Sequence, residues 1–293
     1  MRCAWCHNPE GIPFGMDVWW RMERCIGCGA CVEACPSGAI SADAEGGLRI
    51  EHAACAECGD GSVPPPCADV CPSKALEPLM RRWTVDGLVA RIERDRAFIE
   101  DGGGVTFSGG EPLAQSAFVA AVARRCRESG LHVALDTSGC APRGAFDELL
   151  PFCDLVLFDL KSMDPASLSH WTGGWLDVIS DRARIVAERA ARGELELWFR
   201  TPLVPGATDS EEGVAAIAGF IGSLPDGAVA RWELCAFHGL CVEKYRRLGA
   251  EWTFEGADPP PADRWKSLRD TALKGCGLPY DRVFLKGLAR ASR

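Results

Sequence analysis

The sequence lacks the features that mark several large classes of protein. No apolar run reaches the ~20 residues that a membrane-spanning helix needs, and the first residues, MRCAWC, contain no apolar stretch of a secretory signal. Basic residues are in deficit, with 32 Lys and Arg against 41 Asp and Glu. This balance favours neither nucleic acid nor an anionic membrane as a partner. We therefore expect a cytoplasmic protein that binds neither.

Cysteine is the one residue type in clear excess. Hydrophobic residues make up 47% of the chain and charged residues 25%, which is ordinary for a globular protein. Of the sixteen cysteines, however, ten precede residue 72. Disulfide-dense proteins are usually short secreted domains, whereas this chain has 293 residues. Because clustered cysteines in a cytosolic chain more often bind metal, we expect a metal-binding protein.

Two runs of cysteines have the spacing of iron–sulfur sites. The first run is Cys25-x2-Cys28-x2-Cys31-x3-Cys35-Pro36, the pattern of a bacterial ferredoxin [4Fe–4S] site. The second run contains Cys55-x2-Cys58 and, after a longer gap, Cys67-x3-Cys71-Pro72. In two-cluster ferredoxins the fourth cysteine of each run serves the other cluster. The predicted ligand sets are therefore Cys25, Cys28, Cys31 and Cys71, and Cys35, Cys55, Cys58 and Cys67.

Zinc is the alternative for these cysteines, since Cys-x2-Cys pairs are also zinc ligands. A zinc site does not require a four-cysteine run that ends in Cys-Pro, so the spacing favours iron–sulfur clusters. Residues 21–80 hold too few aliphatic side chains to bury a core of their own, and bound clusters would hold them together. We predict a cysteine-bearing loop over residues 1–20 and a small two-cluster domain over residues 21–80.

Helical and apolar strand patterns alternate after residue 80. The predicted strands cover residues 105–107, 132–135, 155–158, 195–199 and 229–234. Such alternation predicts an α/β fold in which parallel strands are joined by right-handed crossovers. A closed eightfold barrel usually needs ~250 residues, so residues 81–293 favour an incomplete parallel β/α barrel. A doubly wound open sheet is the alternative, because strand patterns do not settle closure.

Each predicted strand ends in a loop of glycine or polar residues. The loops are Ser108-Gly109-Gly110-Glu111-Pro112, Asp136-Thr137-Ser138-Gly139, Asp159-Leu160-Lys161, the loop that begins at Arg200-Thr201-Pro202, and Phe237-His238-Gly239. In parallel β/α proteins the functional residues lie at the carboxyl ends of strands. Glycines let the backbone approach a ligand, and free carbonyl groups there accept hydrogen bonds from an ammonium group. One such loop is ordinary, whereas five in series indicate a ligand site.

The segment Cys3-Ala4-Trp5-Cys6-His7-Asn8-Pro9-Glu10 resembles the end of the radical S-adenosylmethionine (SAM) signature, Cys-x3-Cys-x2-Cys. More narrowly, the chain resembles the activating enzymes of glycyl radical enzymes, relatives of the pyruvate formate-lyase activase. Many of these carry a two-cluster ferredoxin insert directly after this loop, and the strand-end loops here follow in the family's order. The resemblance implies an incomplete parallel (β/α)6-type barrel with a small ferredoxin-like insert near the N-terminus.

The resemblance also implies the activity. A radical SAM enzyme of this kind reductively cleaves SAM to a 5′-deoxyadenosyl radical, which takes a hydrogen atom from a glycine of a partner glycyl radical enzyme. One [4Fe–4S] cluster, with Cys3 and Cys6 among its ligands, would bind SAM. Two accessory clusters would relay electrons from a flavodoxin or a ferredoxin. The alternatives are a radical SAM enzyme that acts on a small molecule and a non-catalytic electron-transfer protein.

Several roles at the strand ends are implied by the family pattern. The loop Gly109-Gly110-Glu111 matches the one that holds the amino group of SAM. Trp5 would pack on the adenine, and His238 matches a histidine that contacts the nucleoside. Arg200 matches an arginine of the family motif, whose partner is either SAM or the protein substrate.

The remaining strand-end residues fit the other groups of a zwitterionic sulfonium nucleoside. Lys161 suits the SAM carboxylate, because it places a compact positive charge on a strand-end loop. Thr137 and Ser138 suit the ribose hydroxyls. Asp136 and Asp159 match carboxylates of the family that are implicated in binding a monovalent cation near SAM.

The first cysteine of the signature is absent from the sequence. By the family's spacing it would lie two positions upstream of Met1, and the first barrel strand is missing as well. Two explanations compete, namely a start codon assigned too late or a fragmentary gene, and a real loss of the catalytic cluster. The motifs that follow in the sequence show no sign of degeneration, so we favour the explanation that the N-terminus is truncated. As written, the chain supplies two of the three cluster ligands, Cys3 and Cys6.

Overall fold

A computed structural model describes residues 1–12, 17–44, 46–55, 58, 63–99 and 103–287. The chain divides into two compact units. We call Cys6–Thr84 with Leu240–Glu255 the cysteine-rich unit, and Met1–Trp5, Val85–Gly239 and Gly256–Arg293 the sheet unit. The end of the predicted barrel segment, residues 288–293, lies outside the described residues.

The cysteine-rich unit is built from short elements. Its strands are Val18–Trp20 (β1), Ile40–Ala42 (β2), Leu48–Ile50 (β3) and Leu76–Pro78 (β4), and its first three helices are Ala30–Ala34 (α1), His52–Cys55 (α2) and Pro66–Asp69 (α3). β1 pairs antiparallel with β4, and β2 with β3. Among the described residues, its apolar core is small and contains three cysteines beside five other buried residues, namely Val18, Cys31, Ile40, Cys67, Ala68, Cys71, Ala75 and Leu76. The thiols are thus part of the packing.

The two Cys-Pro loops of this unit have the same local structure. Cys35-Pro36-Ser37 and Cys71-Pro72-Ser73 are each followed by a residue with a left-handed backbone, Gly38 at φ 66° and Lys74 at φ 53°. Lys74 is the only non-glycine residue with positive φ in the part of the chain that the structure describes. Left-handed backbone costs a residue with a Cβ atom roughly 1–2 kcal/mol. The turn therefore imposes a conformation that glycine adopts without strain and lysine does not.

The sheet unit contains a six-stranded parallel sheet. The strands are Gly104–Phe107 (β5), His132–Thr137 (β6), Leu155–Asp159 (β7), Glu196–Leu203 (β8), Arg231–Ala236 (β9) and Val283–Lys286 (β10). The helices are Val85–Arg94 (α4), Ser116–Glu128 (α5), Arg143–Leu149 (α6), Pro165–Thr172 (α7), Leu176–Ala191 (α8), Glu211–Gly222 (α9), then Val242–Arg247 (α10) of the cysteine-rich unit, and Ala262–Gly275 (α11). No helix in the described ranges has both the length and the apolar character of a bilayer span.

The order of the strands decides between the two predicted architectures. From β5 to β10 each strand lies beside the next in the chain, and every neighbouring pair is parallel. A doubly wound sheet reverses its strand order at a switch point, and this order does not reverse. The predicted parallel β/α fold of the barrel type is confirmed. Within the described residues β5 and β10 are edge strands, so the arrangement is incomplete, as predicted.

The prediction missed the last strand of this sheet. β10 has four residues and follows a short 3-10 turn, Tyr280–Arg282. Its parallel pairing with β9 places Phe284 opposite Glu233. Four residues are too few to show the period-two pattern of a strand convincingly, and only the neighbouring strand fixes them in this conformation.

The two faces of the sheet carry different chemistry. Side chains alternate between faces along a strand. One face is apolar and buried against the helices, and its side chains Phe158, Phe199 and Trp232 are fully buried. Thr201 on this face donates to the carbonyl oxygen of Leu160 at 2.8 Å and accepts from Trp232 Nε1 at 3.0 Å, so its buried hydroxyl is satisfied. The charged strand residues described next lie on the opposite face.

Candidate active site and cysteine clusters

Two acidic and two basic side chains meet at the carboxyl ends of three adjacent strands. Asp159 ends β7, and Lys161, two residues later, donates from Nζ to Asp159 Oδ2 at 2.7 Å. Arg200 on β8 lies opposite Asp159 in the strand register. Its Nη2 is 3.2 Å from Asp136 Oδ1 on β6, and its Nε is 3.5 Å from Asp159 Oδ1. We call these four residues the strand-end charge network.

Burial and neighbouring charges both shift the pKa values of residues in this network. Burial favours a lower pKa for Lys161, but the charges of Asp159 and Cys3 outweigh it and raise the pKa, so the ammonium group stays protonated. Burial raises the pKa of Asp136, the charge of Asp159 adds to the rise, and Arg200 opposes it. The structure thereby fixes separate positive and negative groups at one edge of the sheet, as a zwitterionic ligand requires.

Glu111 joins the first two strand-end loops. Its carboxylate accepts from Thr137 Oγ1 at 2.8 Å, and from both the backbone nitrogen and the hydroxyl of Ser138, at 2.9 and 2.6 Å. It also accepts from Leu113 N at 3.3 Å, where it caps the short helix Pro112–Gln115. Of the residues predicted to contact SAM, Glu111, Thr137 and Ser138 are therefore bonded to one another, and Glu111 fixes the loop that follows β6.

Two glycines in these loops occupy positions that other residues do not tolerate. Gly109 is exposed and has φ 118°, a backbone conformation that only glycine adopts readily. At Gly139 an added Cβ atom would lie 2.2 Å from Cζ of Phe158, so the loop after β6 lies directly on the buried face. Ser108, before Gly109, donates to Asp136 Oδ2 at 3.0 Å, which links the glycine loop to the strand-end charge network.

The N-terminal residues of the sheet unit lie along the end of α7. Arg2 and Ala4 donate backbone hydrogen bonds to the carbonyl oxygens of Thr172 and Trp171 at 2.8 and 2.9 Å. Trp5 is 6% exposed, and its ring centroid is 6.5 Å from that of Trp171. Trp5 thus packs on Trp171 in this structure, and its predicted stacking on adenine stays a prediction.

Cys3 lies beside the strand-end charge network. Burial raises the pKa of the Cys3 thiol, while the positive charge of Lys161 lowers it. His238 is half-buried and follows β9 by two residues, so it also lies at a carboxyl strand end. The predicted residues of all five strand ends and Cys3 thus belong to the same unit.

The polar face of the sheet extends past the predicted site. Arg231 lies between the rings of Trp198 and Phe284, at 4.5 and 3.8 Å from their centroids, and its Nη2 is 2.8 Å from Glu233. Burial, the largest cause, raises the pKa of Cys235 to about 12. The prediction missed these residues of β9. Arg231, Glu233 and Cys235 occupy alternate positions, and that period of two was the available signal.

The first predicted ligand set surrounds one cavity of the cysteine-rich unit. Cys25, Cys28, Cys31 and Cys71 all line it, together with backbone of the loop between them. Burial raises the pKa of the Cys31 thiol, and the nearby charges of Cys25 and Cys71 raise it further. The structure therefore brings Cys71 from the second run to the first run, as the crossed assignment predicts.

The second set shows the same crossing. Burial raises the pKa of Cys55 to about 12, and the charges of Asp17, Cys67, Cys35 and Cys58 contribute to the rise. Burial likewise raises the pKa of Cys67 to about 11, again with contributions from Cys35 and Cys58. These four thiols are within electrostatic reach of one another, although Cys35 belongs to the first run.

Hydrogen bonds favour the thiolate form at the last cysteine of each run. Burial alone would raise the pKa of Cys35. Hydrogen bonds from the Ser37 side chain and from the backbone of Ala39 and Ile40 outweigh burial, so the pKa of Cys35 is lowered overall. Cys71 behaves in the same way, and the backbone nitrogen of Ala75 lies 3.2 Å from its sulfur. Because the thiolate is the metal-binding form of cysteine, the repeated Cys-Pro-Ser turn prepares both residues for ligation.

The donor set fits iron–sulfur clusters. All sixteen cysteines are free thiols, so none of the eight is occupied by a disulfide. Within the described residues no three His, Cys, Asp or Glu side chains converge on a point that could hold a single metal ion. The thiols of the first set stand around a cavity instead. Four thiolates around such a space match a [4Fe–4S] cluster, in which each thiolate binds a different iron.

Cys6 belongs to the cysteine-rich unit, where two residues from far along the chain hold its loop. Tyr245 Oη donates to the carbonyl oxygen of Cys6 at 2.9 Å, and Lys244 Nζ donates to Asn8 Oδ1 at 2.7 Å. The prediction missed both residues. They are separated from the loop by more than 230 positions, and no local pattern in the sequence marks them.

Comparison with known proteins identifies the family. Residues 58–217 match the radical SAM superfamily, and residues 18–41 match the 4Fe-4S binding domain. The chain is 37% identical over 255 residues to the isethionate sulfite-lyase activating enzyme of Desulfovibrio desulfuricans, covering 86% of this chain and 78% of that protein. It is 31% identical over 277 residues to the indoleacetate decarboxylase activating enzyme of Tractidigestivibacter scatoligenes, covering 92% and 85%.

Solved structures agree with this result. A domain of the pyruvate-formate lyase-activating enzyme from Bacteroides vulgatus superposes with a TM-score of 0.50 at 27% identity, covering 64% of this chain and all of that one. A parallel sheet with a polar strand-end site and thiol sets that fit [4Fe–4S] clusters defines the class as a radical SAM protein. The chain belongs to the radical SAM superfamily and, within it, to the activating enzymes of glycyl radical enzymes.

The function predicted from the resemblance is confirmed at this level. The protein uses SAM and [4Fe–4S] clusters, and it is a radical SAM oxidoreductase. Its activity is the reductive cleavage of SAM to a 5′-deoxyadenosyl radical, followed by abstraction of hydrogen from a glycine of a partner glycyl radical enzyme.

Proposed function

We propose that the strand-end charge network is the SAM site of this activating enzyme. Lys161 holds the SAM carboxylate, because its side chain is 8% exposed and its ammonium group stays protonated beside Asp159. The loop of Gly109 and Gly110 presents backbone acceptors to the SAM amino group. Cys3 and Cys6 would be among the ligands of a [4Fe–4S] cluster, and that cluster would supply the electron for cleavage of the S–C5′ bond.

One observation carries this assignment. Fixed charges of both signs lie at the carboxyl ends of adjacent parallel strands, with Arg200 3.2 and 3.5 Å from two carboxylates and Lys161 2.7 Å from one of them. A purely structural network would not need the exposed glycine loop that borders it. Asp136 and Asp159 also retain oxygen lone pairs for a monovalent cation, which the family resemblance suggests.

The neighbouring hydroxyls take the ribose. Thr137 and Ser138 donate their protons to Glu111 and accept from the backbone nitrogens of Gly139 and Cys140. A hydroxyl oxygen has two lone pairs, so each keeps one for a ribose hydroxyl group. Glu111 thereby orients both residues. Under this proposal His238 contacts the nucleoside, and Trp5 borders the adenine.

The two thiol sets would hold accessory clusters that relay electrons from a flavodoxin or a ferredoxin in the cytoplasm. Support comes from the exposure of the first set. Cys28 is exposed and Cys25 is half-buried, whereas Cys31 and Cys71 are buried. A cluster on these four thiols would have one side near the surface, where a donor protein could reach it.

The partner would be a glycyl radical enzyme of the kind that the relatives activate. Their names refer to a sulfite-lyase and to a decarboxylase. Because these two partners catalyse different reactions, we propose the partner class without choosing between a lyase and a decarboxylase.

The experiment uses the full-length protein, reconstituted with iron and sulfide without oxygen, after the reading frame upstream of Met1 has been checked for a cysteine codon. We expect about twelve irons per chain for three [4Fe–4S] clusters, and reduction in the presence of SAM should yield methionine and 5′-deoxyadenosine. Replacing Lys161 with methionine should weaken SAM binding roughly tenfold or more, since a hydrogen bond to a charged group contributes about 1.5–3 kcal/mol. The exposed Lys266, replaced in the same way, is the control.

Three outcomes would contradict parts of the proposal. About eight irons per chain, with no SAM-dependent change in the spectrum of the reduced clusters, would favour an electron-transfer protein. SAM cleavage without any glycyl radical on the partner would favour a small-molecule substrate. Equal SAM affinity of the Lys161 and Lys266 variants would remove the assignment of the carboxylate.

A further inference from the structure

The loop around Cys6 is contacted by a helix from near the other end of the chain. α10 and the turn after it belong to the cysteine-rich unit, together with residues 6–12. Three side-chain bonds join α10 to this loop. Because the contacts span more than 230 positions, they form only in the folded chain.

The first contact holds the backbone of Cys6 itself. Tyr245 Oη donates to the Cys6 carbonyl oxygen at 2.9 Å. The Tyr245 side chain is 9% exposed, and its ring stacks on Trp252 with centroids 5.7 Å apart and planes at 29°. A buried and stacked ring has little freedom, so the position of the Tyr245 hydroxyl group is fixed. Its hydrogen bond in turn fixes the peptide group that follows Cys6.

The second contact holds the residues that follow. Lys244 Nζ donates to Asn8 Oδ1 and to Glu10 Oε1, each at 2.7 Å. The backbone nitrogen of Asn8 in turn donates to Cys6 Sγ at 3.4 Å. Lys244 thus fixes the residue whose N–H group points at the sulfur. Its ion pair with Glu10 is partly exposed, at 35% and 23%, so its effect lies in geometry more than in electrostatic energy.

An aromatic contact covers the residue between these two anchors. His7 meets the edge of Trp252 at 6.4 Å and 69°, and Trp252 in turn meets Phe254 at 6.3 Å. Cys6, His7 and Asn8 are therefore each held by a residue of Leu240–Glu255.

We infer that α10 is a clamp that positions the Cys6 thiolate, with Lys244 and Tyr245 as positioning residues of the SAM-binding cluster. The inference rests on the proposed role of Cys6 as a cluster ligand. Hydrogen bonds to cluster sulfurs help to set the reduction potential, and outer partners orient metal ligands. The clamp keeps the Asn8 N–H group directed at the Cys6 sulfur. This hydrogen bond stabilises the reduced form of the cluster, which carries more negative charge than the oxidised form. Without the clamp, the cluster is harder to reduce.

The test compares Tyr245→Phe and Lys244→Met with the unchanged full-length protein. Phenylalanine keeps the stack on Trp252 and removes only the donated hydrogen bond. In the apo protein, hydrogen exchange of the amides of residues 6–12 should accelerate about fivefold for the loss of one bond of average strength. In the reconstituted protein, both variants should need a lower potential to reduce the SAM-binding cluster, and the spectrum of the reduced cluster with SAM should change.

Two controls separate the clamp from general destabilisation. Arg246 lies on the same helix, is 62% exposed and pairs with Glu255, and Arg246→Met should leave loop exchange and spectrum unchanged. Lys244→Arg keeps the positive charge and should restore part of the loss seen in Lys244→Met.

The outcomes are distinguishable. Unchanged exchange in both Tyr245→Phe and Lys244→Met overturns the clamp. Faster exchange with an unaltered potential and spectrum overturns the positioning role. If the unchanged protein shows no SAM-dependent spectrum at all, the proposed SAM site fails, while the exchange measurement on the apo protein still decides whether α10 holds the loop.

Discussion

Replacing Arg200 with glutamine tests the strand-end charge network directly. Arg200 is the only residue that contacts both Asp136 and Asp159 among the ion pairs of the described residues. Glutamine keeps most of the side-chain length and removes the positive charge. The two carboxylates, on adjacent strands, would then be balanced by Lys161 alone.

The magnitude follows from distance and burial. At 3.2 Å, two opposite charges attract by about 5 kcal/mol at an effective dielectric constant of about 20. Desolvation offsets part of this attraction, and breaking one partner of a buried pair usually costs about 3–5 kcal/mol. The side chains of Arg200, Asp136 and Asp159 are still 28%, 18% and 22% exposed, so they are only partly buried. We therefore expect Arg200→Gln to lower the free energy of unfolding by roughly 2–3 kcal/mol at neutral pH.

The loss should depend on pH. The pKa of Asp136 is already raised by burial and by Asp159, with Arg200 acting against the rise. Removing Arg200 raises the folded-state pKa further. A group whose folded pKa is raised stabilises the fold fully below its unfolded pKa, about 3.9 for Asp, and loses that contribution as the pH rises through the folded pKa. The destabilisation should therefore be smaller at pH 5 than at pH 8.

The assay is urea unfolding of the apo protein under reducing conditions, followed by near-ultraviolet circular dichroism at both pH values. The matched control is Arg192→Gln, because Arg192 pairs with Glu194 at 2.6 Å but is 56% exposed, and such pairs contribute little. If Arg200→Gln unfolds like Arg192→Gln at both pH values, or if its deficit grows toward acid pH, the description of the network is wrong.

Three further predictions concern the supporting structure. Glu111→Gln should lower stability by about 1 kcal/mol, since the amide group cannot accept from both backbone donors, and it should increase hydrogen exchange at Ser138; unchanged exchange there would show that the carboxylate does not fix the loop. Lys74→Gly should raise the midpoint of urea unfolding by relieving about 1–2 kcal/mol of left-handed strain, while Gly38→Lys in the equivalent turn should lower it by a similar amount, and two shifts of the same sign would refute the equivalence. Ser210→Ala should cost about 1 kcal/mol through loss of the N-cap of α9, measured by the same unfolding assay, and a neutral result would show that this cap is not needed.

The crossed cysteine assignment shows how far a local pattern can reach. The spacing of Cys25, Cys28 and Cys31 allows one loop to surround part of a cluster, and this follows from chain geometry alone. The fourth ligand was predicted from the general behaviour of two-cluster ferredoxins, and the structure brings Cys71 to the cavity of that loop. The roles of these residues as ligands stay predictions for the reconstitution experiment.

The polar strand ends were predictable for a similar reason. Parallel strands joined by crossovers place all their carboxyl ends at one edge, so Asp136, Asp159 and Lys161 were expected to be neighbours before their distances were known. Arg200 was predicted as a site residue, but its position between two carboxylates was not. That contact depends on the register of β7 against β8, which the sequence pattern does not specify.

The amino-acid sequence by itself determined the class of protein, the alternation of helices and strands, and the tightly spaced cysteine runs, because each of these depends on residues only a few positions apart. Tertiary structure alone decided that β10 pairs with β9 at the edge of the sheet, that Glu111 holds the next loop, and that Lys244 and Tyr245 hold the loop of Cys6. Such contacts join distant segments, and their partners are selected only when packing brings two surfaces together.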